Sequence, residues 1–331
     1  MGANSAIEWT DHTFNPWTGC QRVSPGCDHC YAEALSKRAP RTFGSWLPGG
    51  PRKRTSEDYW KQPLRWNRRA EKEGVRRRVF CASMADVFDN QPPIAWLADL
   101  LDVIRITPAL DWLLLTKRPQ LIVRRLEEAF EYIARGTDRA DLVAWLYAWL
   151  RDTAPANVWL GTTAENQEEA DRRIPVLLQV PATLHFLSCE PLLGSLDLTP
   201  WMHPLTREHD GLGASLIGWV ICGGESGPSA RPMSTFWARS LRDQCRFAGV
   251  PFFFKQWGEW VDHDQAGSHT WQRTRESGGK VYGRLSGGPL DRIEVEAMCP
   301  RFDGVPLLVK AGKERSGALL DRREWREVPH A

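Results

Sequence analysis

Seven apolar runs of strand length, each ending in polar residues, recur along this chain and five of them give way to a helical pattern, a repetition that narrows the fold more than any other feature. The runs are Ala6 to Asn15, Val79 to Ser83 within RRVFCASMADVFD, DWLLLTKRP ending at Thr116, NVWLGTTAENQ, LHFLSCEPLLG, GWVICGGESG and PFFFKQWGE. Helical patterns cover Asp28 to about Ala39, the stretch after Pro92 and Pro93 to about Thr107, Pro119 to about Ala134, Ala140 to Leu150, Asn166 to Leu178 and about Thr235 to Ala248. Strands buried on both faces read as unbroken apolar runs, and helices between them return the chain in right-handed βαβ units. The expected class is therefore α/β with a parallel sheet, a complete or partial (β/α) barrel over residues 1–258. From Val261 to about Cys299 the periodicity is lost, and residues 259–331 read as an insertion and tail packed on the barrel.

In a parallel barrel the active site lies at the carboxyl ends of the strands, so the polar residues after each run are expected at one mouth. They are the cysteine loop after the first strand, Ser83 and Asp86, Lys117 and Arg118, Thr162, Thr163, Glu165 and Asn166, Ser188 and Glu190, Gly223, Gly224, Glu225 and Ser226, and Lys255, Gln256 and Trp257. Singly, each is also what a helix cap selects. The glycines of GGESG either admit a carboxylate or phosphate to exposed backbone amides or make a tight turn.

The loop TGCQRVSPGCDHC sets Cys20, Cys27 and Cys30 in a C-x6-C-x2-C array. The two-residue interval is a chelating spacing of zinc and iron-sulfur sites, and the Ser/Pro/Gly arm returns Cys20 toward the other two. Three thiols without an obvious fourth ligand suit a centre that leaves one coordination position open. The other cysteines are scattered: Cys81, Cys189 and Cys222 fall in apolar runs as small buried hydrophobes, and Cys245 and Cys299 carry no stronger claim. That usage belongs to a reducing compartment rather than to a disulfide framework.

The chain has 331 residues, 42% hydrophobic and 25% charged, enough to bury a large core. No apolar run is long enough for a membrane span and the N-terminus lacks the regions of a signal peptide, so a cytoplasmic protein with no membrane partner is expected. Net charge is +2, yet residues 41–78 hold twelve Lys and Arg against four Asp and Glu, interleaved with Tyr59, Trp60 and Trp66. Cations neutralise phosphates and aromatics stack on bases, which suggests a nucleic-acid or nucleotide partner; the other reading is a solvated face.

The cysteine loop after the first strand of a parallel barrel resembles the radical S-adenosylmethionine enzymes, with a longer first interval than their commonest C-x3-C-x2-C. Through IEWTDHTFNPWTGCQRVSPGCDHCYAE, VFCASMADVFD, LLLTKRP, WLGTTAENQ, LSCEPLLG, ICGGESGPSARPM, VPFFFKQWGEW and GKERSGALLD, the chain more closely resembles the phage three-Cys-motif proteins. These form an uncharacterised bacterial and bacteriophage family, itself similar to radical S-adenosylmethionine enzymes. The resemblance implies that Cys20, Cys27 and Cys30 bind a 4Fe-4S cluster, and that S-adenosylmethionine at the open iron yields a 5'-deoxyadenosyl radical. Position along the strand ends nominates Ser83 and Asp86 for the methionine ammonium and Thr163, Glu165, Ser188 and Glu190 for ribose or substrate. By the same reasoning Gly223, Gly224 and Glu225 offer a backbone cradle, and Lys255 or Lys117 meets a carboxylate or phosphate. An electron donor or partner protein is implied without being identified. The alternative is a zinc-binding nucleic-acid-interacting protein that adds His29 or His12 to the thiols, and a third reading is a hydrolytic or structural phage protein with buried thiols.

Overall fold

The computed structural model describes residues 5–136, 138–202, 216–262, 281–283, 291–293 and 308–329. Most of the aperiodic passage after Val261, Cys299 included, lies outside the described residues. The strands are β1 His12–Thr13, β2 Trp17–Thr18, β3 Lys53–Arg54, β4 Arg77–Cys81, β5 Leu110–Thr116, β6 Val158–Thr163, β7 Leu184–Cys189, β8 Trp219–Gly223, β9 Phe252–Gln256, β10 Trp260–Asp262, β11 Val281–Gly283, β12 Asp291–Ile293 and β13 Leu308–Lys310. The helices are α1 Tyr31–Arg38, α2 Glu57–Trp60, α3 Gln62–Glu73, α4 Ile94–Arg105, α5 Ile122–Gly136, α6 Ala140–Leu150, α7 Gln167–Leu177, α8 Thr199–Met202, α9 Thr235–Ala248 and α10 Lys313–Ser316. The seven expected runs supply one sheet in the order β1-β4-β5-β6-β7-β8-β9. The β1–β4, β4–β5, β5–β6 and β8–β9 pairings are parallel. An order with two ends agrees with the partial (β/α) barrel and not with the complete one.

The chain divides into two compact units, Met1–Thr163 with Asp171–Leu187, and Ala164–Ala170 with Ser188–Ala331. In the first unit, β4 and β5 pair in a register that sets Val79 opposite Trp112 and Cys81 opposite Leu114, and β5 continues this against β6. Amphipathic helices cover these strands: α4 buries Leu97, Leu101 and Ile104, and α5 buries Ile122, Leu126, Ala129 and Ile133, the three-and-four spacing of one helical face. Phe14 anchors one end of the core, with its ring edge-on to Trp60, Trp66 and Trp112 and stacked on Tyr59 at 5.2 Å. Helix α3 ends where Gly74 takes a left-handed conformation (φ 65°), the usual way to close a helix with an available carbonyl.

The first strand is shorter than the Ala6 to Asn15 run suggests. At its start side chains add to a single backbone bond, Asp11 N to Arg78 O, with Thr10 Oγ1 donating to Arg78 O and accepting from Phe80 N, and Asp11 Oδ2 accepting from Arg78 N. Pro16, which has no N–H, closes it at the other end. The first helix starts at Tyr31 rather than Asp28, because Cys30 is extended (φ −60°, ψ 120°) after a 3-10 turn over Pro25–Cys27.

In the second unit, β8 and β9 are parallel and α9 runs to Gly249, again left-handed (φ 67°). The C-terminal tail pairs with β9: Phe254 N donates to Trp325 O, and Phe253 bridges to Arg326. A small antiparallel sheet follows in the order β10-β13-β11-β12.

Candidate functional site

In the first unit β1, β4, β5 and β6 run the same way, so the residues that follow them emerge at one edge. The chain leaving β1 is tied to the chain leaving β4. The amide side chain of Asn15, fully buried, meets Ser83 Oγ at 3.1 Å and accepts from Met84 N at 2.8 Å. Gly19 N donates to Met84 O and Cys20 N to Ser45 O. Gly19 has a φ of +106°, and a Cβ there would lie 2.8 Å from Ser45 O and 2.9 Å from Arg52 Cδ, so no side chain can immediately precede Cys20 without moving the loop. From the far end of the loop, Tyr31 Oη donates to Ser83 O at 2.7 Å.

Below Cys20 lies a buried ionic network. Asp86 Oδ1 accepts from Thr116 Oγ1 at 2.7 Å and Phe88 N at 3.0 Å, and Oδ2 accepts from Lys117 N at 3.0 Å and Arg118 Nη1 at 2.9 Å. Arg118, 3% exposed, also donates from Nη2 to Gln21 O at 2.9 Å, and its two Nη atoms stand 3.7 and 3.9 Å from Cys20 Sγ. Burial, with the charge of Asp86 added, pushes the Cys20 thiol up to about 11 against the pull of Arg118. Burial opposes the Arg118 charge too, but the carboxylate of Asp86 holds its pKa above the ordinary value. Thr163, at the end of β6, has a buried Oγ1 with no hydrogen-bond partner among the described residues.

Cys20, Cys27 and Cys30 are free thiols and partly exposed, whereas Cys81, Cys189, Cys222 and Cys245 are fully buried. Cys27 sits on the 3-10 turn with its sulfur 4.0 Å from Ser24 Oγ, and Cys30 immediately precedes α1. Among the described residues no three His, Cys, Asp or Glu side chains are gathered tightly enough to hold a metal ion. The donor set itself fits a soft centre, three free thiols carried by one loop, the ligand type that iron-sulfur clusters and zinc select. His12, offered by the zinc reading, has its ring stacked on Trp66 at 4.4 Å, and burial lowers its pKa.

The strand ends of the second unit form their own group. Lys255 Nζ pairs with Glu190 Oε1 at 3.0 Å, and a Cβ on Gly223 would lie 2.6 Å from that same oxygen. A Cβ on Gly224 would run into Trp257 O, so the glycine pair gives the chain's own backbone and Glu190 room to approach. Glu225 is held by Arg231 through N at 2.7 Å, Nε at 3.0 Å and Nη2 at 2.7 Å. Ser188 and Glu165 are buried, their backbone oxygens accepting from Ala164 N and Leu193 N.

The basic segment differs from its sequence appearance. Trp60 and Trp66 are 8% and 5% exposed and belong to the core, and Tyr59 lies on Phe14, so these rings do not serve as base-stacking platforms. The spacing Pro63, Trp66, Asn67, Ala70 on the buried face of α3 is the signal that marks Trp66 as core. Much of the charge is neutralised by carboxylates from outside the segment: Arg52 pairs with Asp89, Arg54 with Asp99, Arg76 with Asp111, and Arg77 and Arg78 with Asp11. Arg118, Asn15 and Arg52 are the residues that sequence reading either missed or left without a role. Only the Asn-Pro turn and a polar pair after a strand hinted at the first two.

No helix among the described residues is long and apolar enough to cross a membrane. No curated protein matches the chain. Two solved structures of spore photoproduct lyase mutants show a slight likeness. One, with bound AdoMet and dinucleoside spore photoproduct, is 10% identical with a TM-score of 0.39, covering 87% of this chain and 69% of that chain. The other is 11% identical with the same TM-score and coverage. Likeness at this level carries no argument. The family model described as "Protein of unknown function (DUF5131)" matches residues 4–329, nearly the full length, and the chain belongs to that family.

Proposed function

We propose that this chain is a three-Cys iron-sulfur enzyme of the radical S-adenosylmethionine type, of the kind found in phages and bacteria, acting in the cytoplasm on nucleic acid or a nucleotide. The observation that carries the reading is the contrast among the cysteines: three free, partly exposed thiols in one loop at the carboxyl edge of parallel strands, against four that are sealed. Cys20, Cys27 and Cys30 would hold a 4Fe-4S cluster. When bound, such a centre supplies the electron that breaks the S–C5' bond of S-adenosylmethionine, releasing methionine and a 5'-deoxyadenosyl radical. In the first unit Ser83 is assigned to the methionine ammonium, with Asp86 supplying negative charge and Thr163 a free hydroxyl oxygen for ribose. In the second unit Glu165, Ser188, Glu190, Gly223, Gly224, Glu225 and Lys255 are assigned to binding, Lys255 to an anionic group. Residues 1–258 would form the catalytic body and 259–331 its C-terminal appendage.

Anaerobic reconstitution with iron and sulfide tests this directly. Replacing Cys20, Cys27 or Cys30 with Ala should abolish cluster assembly, and replacing Cys81 or Cys222 should leave iron content unchanged. Slow formation of 5'-deoxyadenosine from S-adenosylmethionine under reduction is expected, stimulated by DNA, RNA or nucleotides. Stoichiometric zinc with no iron uptake would replace this reading with the zinc-binding one.

A further inference from the structure

The three thiols are not held alike. Cys27 and Cys30 ride on a short turn and a helix start, while Cys20 is fixed through its backbone to Ser45 and lies over the Arg118 guanidinium. Arg118 has five N–H donors. One goes to Asp86 and one to Gln21 O, and the contacts at 3.7 and 3.9 Å bring both Nη groups to the Cys20 sulfur. The guanidinium has little freedom to swing, since Asp86 is pinned by three further donors and Arg118 N donates to Thr116 Oγ1 at 2.9 Å. A buried Arg–Asp pair is weak as a stabilising device, because the desolvation of both ions offsets most of their attraction. Its cost is better explained by what the cation faces.

Resting on the iron-sulfur reading above, we infer that Arg118 is a positioning residue for the metal centre. It donates charge-assisted hydrogen bonds to the Cys20 thiolate, makes Cys20 the fixed ligand onto which Cys27 and Cys30 close, and stabilises the more negative, reduced state. Hydrogen bonds to ligand sulfur and local charge are main determinants of iron-sulfur potentials, and outer partners of metal ligands commonly govern affinity by about 10–100-fold. Asp86 in turn holds the guanidinium at the sulfur.

The experiment uses the full chain reconstituted with ferrous iron and sulfide. Arg118→Lys keeps a cation that cannot meet all three partners, and the double variant Arg118→Met with Asp86→Asn removes the network without leaving a buried carboxylate unpaired. Circular dichroism melting checks that both fold. The double variant is expected to retain iron about 10-fold or more weakly in chelator competition. Its midpoint potential, read by spin resonance in a redox titration, should move negative. Each tenfold loss of preference for the reduced state corresponds to about 59 mV for one electron. Arg118→Lys should recover part of both effects. Arg52→Lys, altering the same loop without a sulfur contact, should leave the potential unchanged; a shift there equal to that of the Arg118 variants would reduce Arg118 to loop packing and overturn the inference. A wild-type chain that takes up iron, beside a double variant with the same affinity and potential, overturns the Arg118 role alone. A wild-type chain that takes up no iron overturns both readings.

Discussion

Arg52→Met removes one half of an ion pair whose two side chains are completely shielded from solvent, with Nε 2.6 Å from Asp89 Oδ2. At an effective dielectric of ~20 and a charge separation of ~4 Å the attraction is about 4 kcal/mol. Removing one member of a buried pair costs about 3–5 kcal/mol, because the other is left as an uncompensated charge. Arg52 also donates to Ser45 O at 3.1 Å and Gly50 O at 2.7 Å. Ser45 O retains the Cys20 amide as a donor after the substitution, so that end of the loop is loosened rather than stripped. Urea unfolding followed by tryptophan fluorescence should therefore show a loss of about 3–5 kcal/mol for Arg52→Met. Adding Asp89→Asn should return more than half of it, since no lone ion then remains buried. A single variant within about 1 kcal/mol of wild type, or a double variant no more stable than the single, would refute the electrostatic account of this pair.

Trp60→Ala should cost about 3–5 kcal/mol of unfolding free energy, as expected for a large aromatic in the core. Unchanged stability with weakened single-stranded DNA binding would reverse the burial argument. Asp321 is held below its ordinary pKa chiefly by the Arg239 hydrogen bond, with burial opposing and Arg242 assisting. Because the folded-state value is the lower one, its contribution is complete above the unfolded value near 3.8 and is lost as pH falls through the depressed one. Arg239→Gln should thus flatten the decline of melting temperature below that pH, and an identical acid profile would count against the assignment.

The sheet was legible because strands buried on both faces leave continuous apolar runs, and α9 begins and ends at Thr235 and Ala248 where its periodicity and Gly249 say it should. Short elements were not. β2 and β3 are two residues each, too brief for any period, and lie in a passage whose composition points only to charge. Reading residues 41–78 as a free basic surface failed for a related reason. A local charge sum does not see Asp11, Asp89, Asp99 and Asp111, which folding brings to those arginines. Aromatics next to arginines suggested base stacking, but a helix of period 3.6 turns Trp66 inward while Arg65 and Arg68 stay outside. At the site, the loop thiols announce themselves by spacing. The guanidinium beneath Cys20 comes from a residue 98 positions away, and only the parallel register of β1, β4 and β5 relates the two.

The burial of Cys81, Cys189, Cys222 and Cys245 pushes all four thiols up in pKa, which keeps them protonated and out of reach of reagents in the folded chain. Among the described residues the thiols thus divide into the sealed four and the three of the loop, of which Cys20 shares the upward shift that burial brings. Brief alkylation under native conditions, followed by peptide mapping, will mark Cys27 and Cys30 first, reach Cys20 more slowly because burial raises its thiol pKa, and spare the sealed set. Each sealed cysteine acquires its label only when the structure around it opens. One mass spectrum then reports on the loop and on the integrity of each compact unit at once, Cys81 reporting for the first and Cys222 and Cys245 for the second.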